Sequence, residues 1–118
     1  MTAVDDTAID IDRYRVQVTV ETEYLPDQSD EDGQRWVFAY HIRIVNQGAV
    51  TARLLTRHWV ITDGRGEVQE VAGPGVVGQQ PRLGQDEQFT YTSGAVLKTP
   101  VGTMQGSYEF CTDSGELF

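Results

Sequence analysis

Cysteine is nearly absent from the 118-residue chain, and the single Cys111 excludes an intramolecular disulfide and any zinc site built on clustered thiolates. One thiol without a partner fits a reducing compartment. Lysine is as scarce, since eight of the nine basic residues are arginine and only Lys98 is not. That bias reads as codon composition and carries no chemistry. Long apolar runs are missing too. Nothing approaches the ~18 consecutive apolar residues that a membrane-spanning helix needs. Met1–Asp12 holds four aspartates and neither Lys nor Arg, the reverse of a secretory leader with its basic start and apolar centre. The chain is therefore expected in the cytoplasm, with no membrane partner.

Basic charge is outweighed, 9 residues against 18 acidic ones, for a net charge of −9. A phosphate backbone repels such a chain on average, so nucleic acid is not an expected partner. The imbalance is uneven, however. Between Arg35 and Arg82 six arginines meet only Asp63, Glu67 and Glu70, a local balance of 6 − 3 = +3. That stretch either carries exposed arginines for solubility or favours a small anion.

Apolar residues at 39% and charged residues at 23% are the ordinary globular mix. At this length the chain makes one domain that buries roughly two-thirds of its unfolded surface. Period-2 alternation dominates, and no window carries a helical stripe. Val16, Val18 and Val20 alternate with polar residues, and Trp36, Phe38, Tyr40, Ile42 and Ile44 form a second stripe. Asn46-Gln47-Gly48 reads as a hairpin turn. Val50–Thr62 reads as a third strand closed by the turn Asp63-Gly64-Arg65-Gly66, with a short strand over Glu67–Val71. Gly73–Gly84 reads as irregular, a demanding crossover between two sheets. Phe89 and Tyr91 mark a fifth strand, and Met104, Tyr108 and Phe110 a sixth. Residues 1–12 read as a disordered arm and 13–118 as one all-β domain, a sandwich or barrel of antiparallel strands. Val18, Trp36, Phe38, Tyr40, Ile42, Tyr108 and Phe110 are expected in or near its core.

Gly73-Pro74-Gly75-Val76-Val77-Gly78 matches GxGxxG after a strand, but Pro81 and Gly84 deny it the helix that a dinucleotide site requires. A glycine loop also binds anions through backbone N–H groups. Gly73, Gly75 and Gly78, with Arg82 and with Arg57 or Arg65, are thus the candidate site for a small phosphorylated ligand. A purely conformational role for the glycines stands beside it. His41 and His58 have no close ligand pair in sequence and Arg57 adjoins His58, so no metal site is expected. Asp27, Asp30, Glu31 and Asp32 lack EF-hand spacing and read as a solvated loop. Ser93 reads as a loop serine without the glycines of a nucleophile elbow, and Cys111 sits among acidic neighbours that disfavour a thiolate. No catalytic residues and no cofactor are expected, and the chain is not expected to be an enzyme.

Leu54-Leu55-Thr56-Arg57-His58-Trp59-Val60-Ile61-Thr62-Asp63, the glycine segment Gly73–Pro81, Phe89-Thr90-Tyr91-Thr92-Ser93-Gly94 and Gly102-Thr103-Met104-Gln105-Gly106-Ser107-Tyr108 together resemble the ApaG family. The order and intervals match over Arg13–Tyr108. The resemblance implies a fibronectin type III-like, immunoglobulin-like sandwich of about seven antiparallel strands. It further implies a non-enzymatic interaction module, since the domain recurs in F-box proteins and in a polymerase-interacting protein. Bacterial members are labelled with cobalt and magnesium efflux or resistance, and their genes often lie beside a diadenosine tetraphosphate hydrolase. A small chain of this kind conducts no ions, so a metal effect would be indirect. The genomic neighbourhood suggests pyrophosphate or a dinucleoside polyphosphate as the alternative ligand. Family members continue into a last strand where this chain reaches Glu116-Leu117-Phe118. The domain is therefore expected to lack its final strand and to expose a sheet edge, open to a protein partner or to homodimerisation.

Overall fold

The computed structural model describes residues 13–118, and the expected arm over residues 1–12 lies outside the described residues. The strands are β1 (Val16–Tyr24), β2 (Trp36–Asn46), β3 (Ala52–Asp63), β4 (Val68–Pro74), β5 (Arg82–Leu83), β6 (Gln88–Leu97) and β7 (Gly102–Thr112). A single 3-10 turn over Pro26–Gln28 interrupts them. One sheet runs β1-β2-β6. In the other, β3 is central, with β7 along one side and β4 and β5 sharing the opposite side. Every pairing is antiparallel, and the expected sandwich of seven strands is what forms.

Alternation decides which side of each strand is buried, because successive side chains point to opposite faces. Val16, Val18, Ile42, Ile44 and Tyr91 face inward from the first sheet, and Leu54, Trp59, Tyr108 and Phe110 from the second. Trp36 and Phe38, expected with them, are half-buried because β2 begins near the rim. The centre of the core is aromatic. Trp59 meets Tyr108 edge to face at 5.8 Å and Tyr40 at 6.4 Å. Tyr91 and Tyr108 share a hydroxyl–hydroxyl hydrogen bond of 2.6 Å that joins β6 to β7 across the sandwich. Burial raises both phenols above the ordinary value of 10. The fully buried Trp59 Nε1–H lies beside this pair without closing a hydrogen bond on either hydroxyl.

Three local expectations are corrected. Asn46-Gln47-Gly48 is not a hairpin turn, since β2 and β3 lie in different sheets. The buried Asn46 side chain clasps that crossover, donating to the carbonyls of Val50 and Leu83 and accepting from the Gly48 N–H. Gly73–Gly84 is not a crossover, because β4 and β5 both pair with β3. The passage between sheets falls later, from Leu83 to Gln88. Ser93 is in the middle of β6, opposite Tyr40, and not in a loop.

β3 carries a β-bulge at Leu55, where the register with β7 shifts between Leu54 and Thr56. Straight alternation cannot send Leu54 and Trp59 to the same face, because they are an odd number of residues apart. The extra residue makes that possible, and both are fully buried. The bulge also turns Arg57 to the inner side, opposite Tyr108.

Candidate functional site

The bulge builds the glycine loop. The Leu55 carbonyl accepts the Gly75 N–H at 2.7 Å and the Gln80 Nε2–H at 3.0 Å. Val76 and Gln79 exchange both backbone bonds at 2.8 Å, so Val77 and Gly78 are the central residues of a two-residue turn. Both have positive φ, 44° and 79°, as the primed hairpin turns demand. Gly78 accepts this freely. Val77 is β-branched and pays steric strain of about 1–2 kcal/mol there, yet its side chain is mostly exposed. Gly75 is fixed by its surroundings, with φ of +64° and a Cβ that would sit 2.3 Å from the Gln79 carbonyl oxygen.

The residues assigned to anion recognition are only partly brought together. Arg57 reaches the loop, but its Nη1 donates to the carbonyls of Pro74 at 3.2 Å and Gly75 at 2.8 Å. The guanidinium thus holds acceptors in place and is not backed by a ring of donors. The Gly75 N–H is committed to Leu55, and Gly73 lies within β4 opposite Arg57. Arg82 forms a two-pronged ion pair with Asp113, Nε to Oδ1 at 3.0 Å and Nη2 to Oδ2. That partner holds the Asp113 carboxyl below its ordinary value and raises the guanidinium. Arg65 is in the turn at the far end of β4 from the glycine loop.

The histidines also part company. His41 projects from the outer face of the first sheet and His58 from the outer face of the second, so facing strands do not bring them together. Each has a carboxylate beside it. His41 Nε2 is 3.1 Å from Glu23 and His58 Nε2 is 3.6 Å from Glu70, each a diagonal neighbour on the adjoining strand. Each pair is one imidazole and one carboxylate, and among the described residues no three such groups converge.

A further surface lies along β7. β7 pairs with β3 along its whole length, and on its other side only the final residues meet it. Phe110 and Phe118 exchange backbone bonds of 2.8 and 3.0 Å, and their rings stack at 5.6 Å. Tyr14 packs on Phe118 and donates its hydroxyl to Glu116, and Arg13 pairs with the same carboxylate. Those bonds, the Tyr14 hydroxyl first, hold Glu116 below its ordinary pKa. From Gly102 to Glu109 no strand covers that side of β7 among the described residues. Beside it, between the sheets, opens a cavity of about 280 Å³. Its walls are mostly apolar, with Phe38, Tyr40, Ile61, Leu97, Val101 and Met104 among them. Val101 at its rim is 67% exposed.

A seven-stranded antiparallel sandwich of two sheets belongs to the fibronectin type III-like fold class. The match to known proteins is closer than class. The ApaG domain matches residues 26–112, and the chain belongs to that family. It is 56% identical over 107 residues to Protein ApaG of Aromatoleum aromaticum, covering 91% of this chain and 84% of that one. Protein ApaG of Pseudomonas fluorescens is 57% identical over 106 residues, covering 90% and 84%. Among solved structures, the putative ApaA protein from Bordetella pertussis superposes with a TM-score of 0.89 at 50% identity, covering 92% of this chain and 89% of that one.

Proposed function

We propose that this chain is a non-enzymatic protein-interaction module of the cytoplasm, and that the mostly apolar cavity between the sheets, at Phe38, Leu97 and Met104, is the recognising surface. The observation that carries the reading is that apolar cavity, with Val101 67% exposed at its rim. An apolar cavity open to solvent takes up the apolar side chains of a partner. The occupant is another protein or a second copy of the chain. The link to cobalt and magnesium resistance implied by the family is then indirect, acting through the partner. The test is a pair of measurements on purified protein. Sedimentation over a concentration series reads self-association, and capture on immobilised protein reads a stoichiometric partner. A strictly monomeric protein that captures no partner, with or without divalent ions, refutes the module reading.

A small phosphorylated ligand at Gly73–Gly78 is the second reading, favoured by the presence of the Arg57 guanidinium at the loop. It requires Arg57 to leave two carbonyls and Arg82 to leave Asp113. Pyrophosphate and a dinucleoside polyphosphate titrated against labelled protein decide it. Amide shifts confined to Gly73–Arg82 support the ligand, and their absence at millimolar concentration removes it.

A further inference from the structure

Among the described residues, three that are not glycine have positive φ: Gln34 at 58°, Asp86 at 63° and Val77 at 44°. Short or flexible polar side chains tolerate that region, whereas a β-branched one crowds its own backbone there. Val77 is the β-branched member of the three. Residues held in such strain cluster at sites that make contacts outside the fold. Packing within the fold does not offset the strain here, because Val77 is 55% exposed at the tip of the loop between β4 and β5.

The turn that carries Val77 is rigid. Val76 beside it is fully buried and exchanges both backbone bonds with Gln79. The Leu55 carbonyl and Arg57 hold Gly75, and Arg53 Nη1 adds a bond of 2.9 Å to the Gln80 carbonyl. A valine side chain also has little χ1 freedom to lose. An apolar group presented so firmly binds without the ordering cost of a mobile loop.

Charge sets what it can meet. Residues 71–81 include no charged side chain, on a chain of net charge −9. The charged groups bonded to the loop are both cationic. Arg53 and Arg57 commit only Nη1, to backbone carbonyls, and among the described residues neither is ion-paired. A guanidinium has five N–H donors, so an incoming carboxylate finds free ones without displacing those bonds. The loop meets β3 at Leu55, near the start of that strand, and the cavity opens by Ile61, near its end. The tip is therefore a surface separate from the cavity.

Resting on the reading of the chain as an interaction module, we propose that Val77 anchors a second protein-binding surface. The tip inserts into a small apolar pocket of a partner protein, and carboxylates at the rim of that pocket meet Arg53 and Arg57.

The first test replaces the pocket with a chemical mimic. Carboxymethyl-β-cyclodextrin is an apolar cup with a carboxylate rim, and its quaternary-ammonium counterpart has the same cup with a cationic rim. Each is titrated against methyl- and amide-labelled full-length protein. The anionic cup is expected to shift the Val77 methyls and the amides of Val77 and Gly78 saturably, at least about threefold tighter than the cationic one. Val77→Asn is expected to abolish those shifts. Val68 and Val101 are 59% and 67% exposed and serve as controls, since exposure alone would favour them. Shifts at Val68 or Val101 as large as at Val77, or none at Val77 at millimolar concentration, overturn the anchor. Equal binding of the two cups overturns the acidic rim. The second test repeats partner capture with Val77→Asn, which is expected to hold a stoichiometric partner at least about tenfold more weakly than wild type. Equal capture overturns the anchor and leaves the module reading intact, whereas capture of nothing by wild type overturns both.

Discussion

Replacing Asn46 with alanine strikes the joint between the two sheets. The residue is 1% exposed. Its Nδ2 donates at 2.9 Å to both Val50 and Leu83, and its Oδ1 accepts the Gly48 N–H at 3.0 Å. Its backbone is bonded as well, to the Glu87 carbonyl at 3.0 Å and from the Asp86 N–H at 2.6 Å. One side chain thus ties the end of β2, the approach to β3 and the end of β5. Alanine keeps the backbone bonds, and the Gly48 N–H keeps the Arg15 carbonyl at 3.0 Å, but the carbonyls of Val50 and Leu83 lose their side-chain donor. An unpaired buried group costs about 1–3 kcal/mol, and water reaches part of this loop, so the expected loss is about 3–5 kcal/mol. A domain of this size has roughly 6–18 kcal/mol in all, at about 0.05–0.15 kcal/mol per residue. At about 4 °C for each kcal/mol, the melting temperature should fall by roughly 12–20 °C. Urea unfolding followed by tryptophan fluorescence measures this, and the denaturant slope should stay constant because the surface exposed does not change. Asn46→Asp keeps the acceptor for Gly48 but sets carboxylate oxygen against two carbonyls, so it should be at least as damaging. A loss under about 1 kcal/mol for Asn46→Ala would mean that these groups find other partners, and the clasp would not be what joins the sheets.

Val77→Asn should raise stability by about 1 kcal/mol, because asparagine tolerates positive φ and little packing is lost at an exposed tip; a lower melting temperature would refute the strain. Gly106→Ala should cost more than about 2 kcal/mol, because the new Cβ meets backbone on the central strand, and circular dichroism melts will show it; near-neutrality would mean that β7 can shift against β3. Asp113 and Glu116 have depressed pKa values, so the stability they add is present above their ordinary values of 3.8 and 4.5 and is lost as pH falls through the lower folded values. Urea midpoints over an acid series should therefore decline more steeply in wild type than in Asp113→Asn, and parallel curves would count against the ion pair.

Sequence alone determined the longer strands, because a strand with one wet face must alternate, and Val16–Val20, Trp36–Ile44 and Phe89–Tyr91 do so openly, whereas the two-residue β5 at Arg82–Leu83 is too short to show a period. It determined the turn at Asp63–Gly66 as well, where Asp63 accepts the N–H groups of Arg65 and Glu67. Four residue segments resembling one family brought the sandwich with them. What the sequence left open depends on which distant strands become neighbours. Asn46-Gln47-Gly48 has the same local chemistry in a hairpin and in a crossover, and only the burial of Asn46 against Leu83 distinguishes them. The inner face of β3 was hidden because the bulge at Leu55 breaks the period-2 pattern by which faces are read. The arginines were visible as charge, but Asp113 and the loop carbonyls that engage Arg82 and Arg57 lie 31 and about 17 residues away along the chain. Charge in a sequence is a count, whereas its availability to a ligand is a matter of which partners the fold has already placed against it.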